Sequence, residues 1–364
     1  MQFKQKEKLA NIINKMIPLF CAFAVGAIFC LIIGYNPLTI YGLILKGGFG
    51  SFGNWMFTLG FACPIIMTGL ATAFSFKAGV WNIGIEGQLY IGAYASALIG
   101  AGYYGLDAVP APLQIPLALV GGAVFGLLFG LIPAVLKAYF NVNVVVTTIM
   151  LNYIAIALTK FMCKAFHQGN ETYDSTYAVM DTAIIPKIFS KYRVTYAIFI
   201  ALAITAIITF IIYKTRLGFE INSIGRQFEF AEAVGMRAKR NIIVVFIISG
   251  AIAGIAGSTE ILGVNKNFMP NFSNNPGLGW EGYFVAVLAN NNPIAVFIVA
   301  ILFGGFRYGS ISAQSKIGMP LDLLNIIKAT LILFYAIKYV DANTDYFKKF
   351  RKQPEKKKDG VKSV

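Results

Sequence analysis

Long uncharged stretches alternate with short charged ones along most of the chain. "IPLFCAFAVGAIFCLIIG" (17–34) and "YAIFIALAITAIITFIIY" (196–213) each supply about the 18 to 20 apolar residues that a bilayer-spanning helix needs. A strand of a membrane barrel would instead alternate apolar and polar residues over roughly ten positions, which these runs do not do. The pattern predicts an all-α polytopic membrane bundle. Ten candidate spans are legible, at about 17–34, 55–76, 86–102, 114–136, 144–163, 194–213, 242–263, 276–290, 292–306 and 321–340. The third and eighth are short and interrupted by glycine, asparagine or charge. That is the form of a broken or re-entrant helix, tolerated where protein or a water-filled cavity covers the open backbone.

An internal echo accompanies this count. "NIGIEGQLYIGAYA" (82–95) and "GLGWEGYFVAVLAN" (277–290) share Gly-x-Glu-Gly, and each follows a small-residue helix, "TGLATAFSF" or "ISGAIAGIAGS". The copies lie five spans apart, and an odd offset inverts the second copy, so an inverted repeat with a pathway at its interface is expected. Gly122, Gly126 and Gly130, and separately Gly250 and Gly254, recur at every fourth position. Such stripes let helix backbones approach closely, and packing within one bundle is expected ahead of a dimer seam.

Charge orients the threading. Lys4, Lys6, Lys8 and Lys15 precede the first run, Lys214, Arg216, Arg226, Arg237, Lys239 and Arg240 fill the central loop, and the tail carries "KKFRKQPEKKKDGVK". Positive charge in short flanks marks the cytoplasmic side. Ten crossings place all three clusters there, with a transmembrane domain over 1–346, a cytoplasmic loop at 214–241 and a basic cytoplasmic tail at 347–364 that faces lipid. A formal charge of +15 on a chain that is 57% hydrophobic, with mean hydropathy +0.68, is therefore read as topology rather than as a nucleic-acid partner. The basic start resembles the front of a signal peptide, but the apolar run is longer than such a peptide's and has no small-x-small cleavage pattern, so it is expected to stay as the first helix. Cys21, Cys30, Cys63 and Cys163 lie in or beside apolar runs and predict neither a disulfide framework nor a metal cluster.

Candidate chemistry is sparse. His167 is the one histidine, so Ser-His-Asp and His-x-x-His sets are excluded, and its polar loop predicts an exposed side chain. No Gly-Lys dipeptide occurs, which removes the phosphate-cradling loop of ATPases. No catalytic residue, metal or cofactor is expected in this chain, and ATP and magnesium, if used, belong to a partner. Polar groups inside a membrane are costly and mark pathways. Asn82, Glu86, Asn152, Trp280, Glu281 and Asn290 are the candidate solute-pathway residues. A structural reading stands beside this one: carboxylates in a helix's first turn cap amides, membrane asparagines link helices, and Trp55, Trp81 and Trp280 form an interfacial belt. Glu260 and Lys328 receive no role.

The central loop carries "GRQFEFAEAVGMRAKR" (225–240). Phe228, Phe230, Ala231 and Val234 put apolar surface on a short helix, Arg226, Glu229 and Glu232 keep it soluble, and Gly225 and Gly235 bound it. A helix of about two turns is marginal alone. It is suited to a groove on another protein, with an amphipathic loop lying on anionic lipid as the alternative.

These stretches resemble the permease subunits of bacterial ABC importers for nucleosides and simple sugars, kin to ribose and branched-chain amino acid permeases. The likeness runs from about Ile17 to Tyr339 and rests on "FKAGVWNIGIEGQLYIGAYAS", "IGRQFEFAEAVGMRAKRN", "ISGAIAGIAGS" and "GWEGYFVAVLANNNPIAVFIVAILFGGFRYGS". It implies a permease of the bacterial cytoplasmic membrane with both termini inside. The implied partners are a second permease, a cytoplasmic ATPase that binds ATP and magnesium, and an extracellular or periplasmic binding protein or lipoprotein. Gly225, Arg226, Glu229, Glu232, Ala233, Gly235 and Met236 match its ATPase-coupling segment. Phe228 and Phe230 depart from the family's alanine-rich pattern there, which leaves the docking register open. Nucleosides are favoured as substrate over ribose-like sugars. An ion-coupled transporter using Glu86, Glu260 and Glu281 is the rival reading, and a membrane enzyme is disfavoured for want of a nucleophile, base and metal.

Overall fold

A computed structural model describes residues 21, 23–169, 174–273, 277–318, 325, 326 and 330. It resolves into two compact units, Met1–Tyr41 with Ile317–Val364, and Gly42–Lys316. In the first, helix α1 (Phe23–Ile32) is tied back by the Tyr41 hydroxyl, which donates to the Phe23 carbonyl at 2.6 Å. Helix α2 (Pro37–Phe49) leads into the second unit. That unit contains α3 (Phe52–Lys77), α4 (Ile85–Gly100), α5 (Ala111–Phe140), α6 (Val144–Phe166), α7 (Ala197–Lys214), α8 (Arg216–Arg226), α9 (Phe228–Ala233), α10 (Ala238–Glu260), α11 (Leu278–Leu288) and α12 (Pro293–Ile317). A π-turn, Ile261–Asn265, prolongs α10.

Among the described residues, six helices are long and apolar enough to cross a membrane, seven if α1 and α2 count as one broken span. Ten crossings are not reached by helix length and apolarity within these residues. At about 1.5 Å per residue, the 16 residues of α4 and the 11 of α11 fall short of a hydrocarbon core of about 30 Å. Summed apolarity does not register the break that ends each of them. The run at 321–340 lies almost wholly outside the described residues, as do Lys4, Lys6, Lys8, Lys15, Lys328 and the tail.

Local chemistry sets the helix ends. Ser51 accepts a hydrogen bond from the Asn54 amide at the start of α3, Asn143 accepts from Val145 and Val146 at the start of α6, and Thr215 accepts from Gly218 at the start of α8. Asn141 closes α5 in the left-handed region at φ 50°. The run "ANNNP" is a stop-and-restart signal: Asn290 and Asn291 adopt φ 53° and 57°, and the Asn292 side chain caps α12 at the Ile294 and Ala295 amides.

Helix α3, buried over most of its length, packs against α7, α10 and α11, and α10 packs on α4 and α5. A helix enclosed on all sides must satisfy its polar side chains internally. In α3, Thr68, Thr72 and Ser75 return their hydroxyls to the carbonyls of Pro64, Thr68 and Thr72 at 2.8–3.0 Å. The glycine stripes meet inside this unit. A Cβ on Gly92 of α4 would lie 2.4 Å from the Gly254 Cα of α10, and one on Gly254 would lie 2.1 Å from the Gly122 carbonyl oxygen of α5. Glycine is required where these three backbones touch.

Candidate functional site

Two broken helices meet in the interior. The connection 78–84 before α4 is not helical, and its backbone groups need partners away from water. Asn82 accepts from the Gly84 amide at 3.0 Å and donates to Ser249 and Gln88. From α6, Thr148 accepts from the Ile83 amide, while Asn152 accepts from Gly87 at 2.7 Å and donates to the Ile83 carbonyl at 2.9 Å. Both asparagines are buried and hold the break before α4 in shape.

Glu86, in the first turn of α4, reaches the start of α11. Its carboxylate accepts from the Ser273 hydroxyl at 2.6 Å and from the Gly279 amide, and Ser273 accepts in turn from the Leu278 amide at 2.8 Å. A carboxylate facing a helix N-terminus is favoured by the orphan amides and the dipole, so the charge on one broken helix caps the other. The approach demands glycine, because a Cβ on Gly279 would lie 2.6 Å from the Glu86 nitrogen. The second motif glutamate has a different partner: Glu281 accepts from Arg307 of α12 at 2.9 Å. Glu260, at the end of α10, pairs with Arg193. Trp280 is half-buried against Tyr283 and Phe284, and Asn290 is exposed in its turn. The six candidate pathway residues thus divide: Asn82, Glu86 and Asn152 surround the broken helix starts, Trp280 joins them through its backbone amide on the Glu86 carboxylate, Glu281 sits in an ion pair, and Asn290 is exposed in its turn. Arg193 and Arg307 carry no signal in the local sequence. They lie 67 and 26 residues from their partners, so no local spacing announces them.

Beside the C-terminal end of α3, where Gly79 approaches Gly225, lies the element expected from the central loop. Helix α9 spans Phe228–Ala233 and ends with Gly235 at φ 80°. The Met236 amide bonds to the Ala231 carbonyl and the Gly235 amide to that of Glu232, the pattern of a glycine-terminated helix. Gly225 does not bound α9, contrary to expectation. It sits in the last turn of α8, where a Cβ would lie 2.1 Å from the Lys77 carbonyl oxygen, and Gln227 is the residue that precedes α9. Ala231 is buried with Ile224 and Ala238, and Met236 covers this small core. Phe228, Phe230 and Val234 are exposed at 42%, 57% and 53%, as are Arg226, Glu229, Glu232, Ala233 and Gly235.

The mount of α9 is fastened on two sides. Gly225 presses α8 on the end of α3, and Glu220 of α8 accepts from Asn241 of α10 at 2.7 Å. That bond, aided by Arg216, holds the Glu220 carboxyl below the usual carboxylate range. Two recesses flank the helix. One of about 830 Å³ is lined in part by Arg216, Arg237, Arg240 and Val234, and one of about 610 Å³ by Lys137, Arg226, Lys239 and Phe228.

His167 departs from expectation. It is buried, not exposed: the Tyr94 and Tyr104 hydroxyls lie 2.5 Å from its two ring nitrogens, and the Tyr103 hydroxyl donates to its carbonyl. Three tyrosines distant in sequence enclose a histidine that its own polar neighbours place on the surface. Among the described residues no His, Cys, Asp and Glu cluster fit to hold a metal occurs, and the cysteines are free thiols.

Residues 54–336 match the family model described as the branched-chain amino acid transport system / permease component, and the chain belongs to that family of ABC-transporter permeases. It is a multi-pass membrane protein and, like its family, a transport subunit rather than an enzyme. Permeases of this family work with a paired permease, an ATPase and a solute-binding protein. The chain is 34% identical to the guanosine ABC transporter permease protein NupP of Bacillus subtilis over 92% of this chain and 97% of that one. It is 31% identical to the nucleoside ABC transporter permease protein NupB of Lactococcus lactis over 92% and 93%, and 28% identical to a glucose ABC transporter permease protein of Haloferax volcanii over 92% and 88%. No solved structure matches the chain.

Proposed function

We propose that this chain is the membrane subunit of an ATP-driven nucleoside importer of the bacterial cytoplasmic membrane, and that α8 and α9 are its contact with the ATPase. The observation that carries the coupling role is the exposed apolar face of Phe228, Phe230 and Val234 on a helix that packs on α8 and α10, with α8 in turn seated on the end of α3. A displaced α9 therefore moves two central helices, one of which reaches the Glu86 junction through α11. The basic linings of the flanking recesses suit an acidic rim on the partner. The loop 214–241 is the cytoplasmic coupling segment in this reading. Gly225 and Met236 set its shape, and Arg226, Glu229, Glu232, Ala233 and Gly235 face the partner. The positive clusters place the termini inside, with 347–364 as a basic tail. Ten crossings and an inverted repeat remain the threading we favour, with α4 and α11 as the paired broken elements and Asn82, Glu86, Asn152, Trp280, Glu281 and Asn290 about the pathway.

Nucleosides are preferred because the relatives named for guanosine and nucleosides are more similar than the one named for glucose. A simple sugar is the second reading, and that glucose relative supports it. Transport follows if ATP-driven closure binds one state of α9 better than the other, since only differential contact shifts a conformational balance. The test is Phe230→Ser in the assembled importer. Solute-stimulated ATPase and uptake should each fall about tenfold, the scale of one lost anchor residue. Unchanged coupling would remove α9 from the mechanism.

A further inference from the structure

Building on the nucleoside reading above, we infer that Phe57, Phe61 and Tyr308, framed by Arg193 and Arg307, form a recognition site for the base of a keto-purine nucleoside. The Tyr308 ring stacks on Phe57 with centroids 4.6 Å apart and planes 14° from parallel, and it lies 6.0 Å from Phe61 at 25°. The Arg193 guanidinium sits over Phe61 at 4.2 Å and that of Arg307 at 5.8 Å. These five side chains come from α3, α12 and the connection before α7, and all are partly exposed. The result is an aligned set of flat groups packed on one another, each with part of its surface exposed.

Its chemistry selects the class. A nearly parallel set of aromatic faces accepts a planar heterocycle by stacking, whereas a sugar ring has no flat π face to offer. Each arginine is already matched, Arg193 by Glu260 and Arg307 by Glu281. Two positive and two negative groups leave no formal excess to attract a phosphate or a carboxylate, which points to an uncharged solute. The Nε–H of Arg193 is buried without a hydrogen-bond partner, a donor that a ligand acceptor would satisfy. A guanidinium fork suits the adjacent O6 and N7 acceptors of a guanine-type base, while adenine replaces the first with a donor. The paired carboxylates can take the remaining N–H groups of such a base. Phe61 is 16 positions from Lys77 along α3, or about 24 Å at the helical rise. The site therefore lies remote from α9, at the end where a delivered solute would enter.

The experiment uses the complete importer in liposomes and compares guanosine with adenosine. Phe61→Leu and Tyr308→Leu should lower kcat/KM for guanosine about tenfold, the scale of one lost stacking contact, in complexes recovered at wild-type yield. Phe61→Tyr, which keeps the ring, should retain most uptake. Arg193→Lys keeps the charge beside Glu260 but loses the fork, so it should depress guanosine uptake more than adenosine uptake. Unchanged guanosine uptake in the Phe61→Leu and Tyr308→Leu importers overturns the site, as does an equal loss for both nucleosides in Arg193→Lys. A wild-type importer that moves glucose and neither nucleoside overturns the nucleoside reading itself.

Discussion

Glu86 turns one carboxylate into the fastening between two broken helices. It is buried, with 3% of its surface exposed, and it holds the Ser273 hydroxyl and the Gly279 amide. Removing it strands those donors, at a cost of about 1–3 kcal/mol for each unsatisfied buried group. Glu86→Ala should lower the thermal unfolding midpoint of the purified permease by several degrees, and Glu86→Gln, which keeps one acceptor oxygen, by less. Full stability of Glu86→Ala with altered transport would make Glu86 a solute contact instead of a fastening. The sequence singled out Glu86 by its place in Gly-x-Glu-Gly, and the cap reading was available from its first-turn position. Its acceptance of amides from α11, rather than from α4, was not available, because residues 86 and 279 meet only through the fold.

Helices α4, α5 and α10 owe their contact to absent side chains. The every-fourth glycines were legible as a close-packing stripe, and their period of one helical turn is the reason. Which stripe faced which was not legible, since the same spacing also serves a dimer seam. Overpacking such a contact costs about 1–3 kcal/mol. Gly254→Ala, whose Cβ would lie 2.1 Å from the Gly122 carbonyl oxygen, should destabilise the purified protein by that order in thermal unfolding. Gly42→Ala of α2, with open space around the added methyl, should leave the midpoint in place. Equal midpoints for the two variants would refute the three-helix contact. In α9 the apolar residues and the closing Gly235 announced a short helix. The start was misplaced, because Gly225 serves the approach of α8 to α3 and that need is invisible in the local pattern.

Across the whole chain, α9 and the tyrosine-enclosed His167 belong to opposite ends of α7: α9 follows it, while His167 precedes it. Cysteine placed at Val234 in a cysteine-free background should react with an impermeant maleimide only in inside-out vesicles, and cysteine placed at the exposed Tyr104 only in intact cells. Labelling of both from one side would overturn the threading. Residue order alone established the membrane class, the helical type, the position of the charged central element and the absence of an internal nucleotide loop. Each depends on runs of neighbouring residues, where hydration and helix periodicity act locally. The lengths of α4 and α11, the burial of His167 and the pairing of Arg193 with Glu260 and Arg307 with Glu281 emerged when distant segments packed. A buried charge is tolerable only beside its partner, and which groups become partners is settled by where helices cross, not by how far apart they stand in the chain.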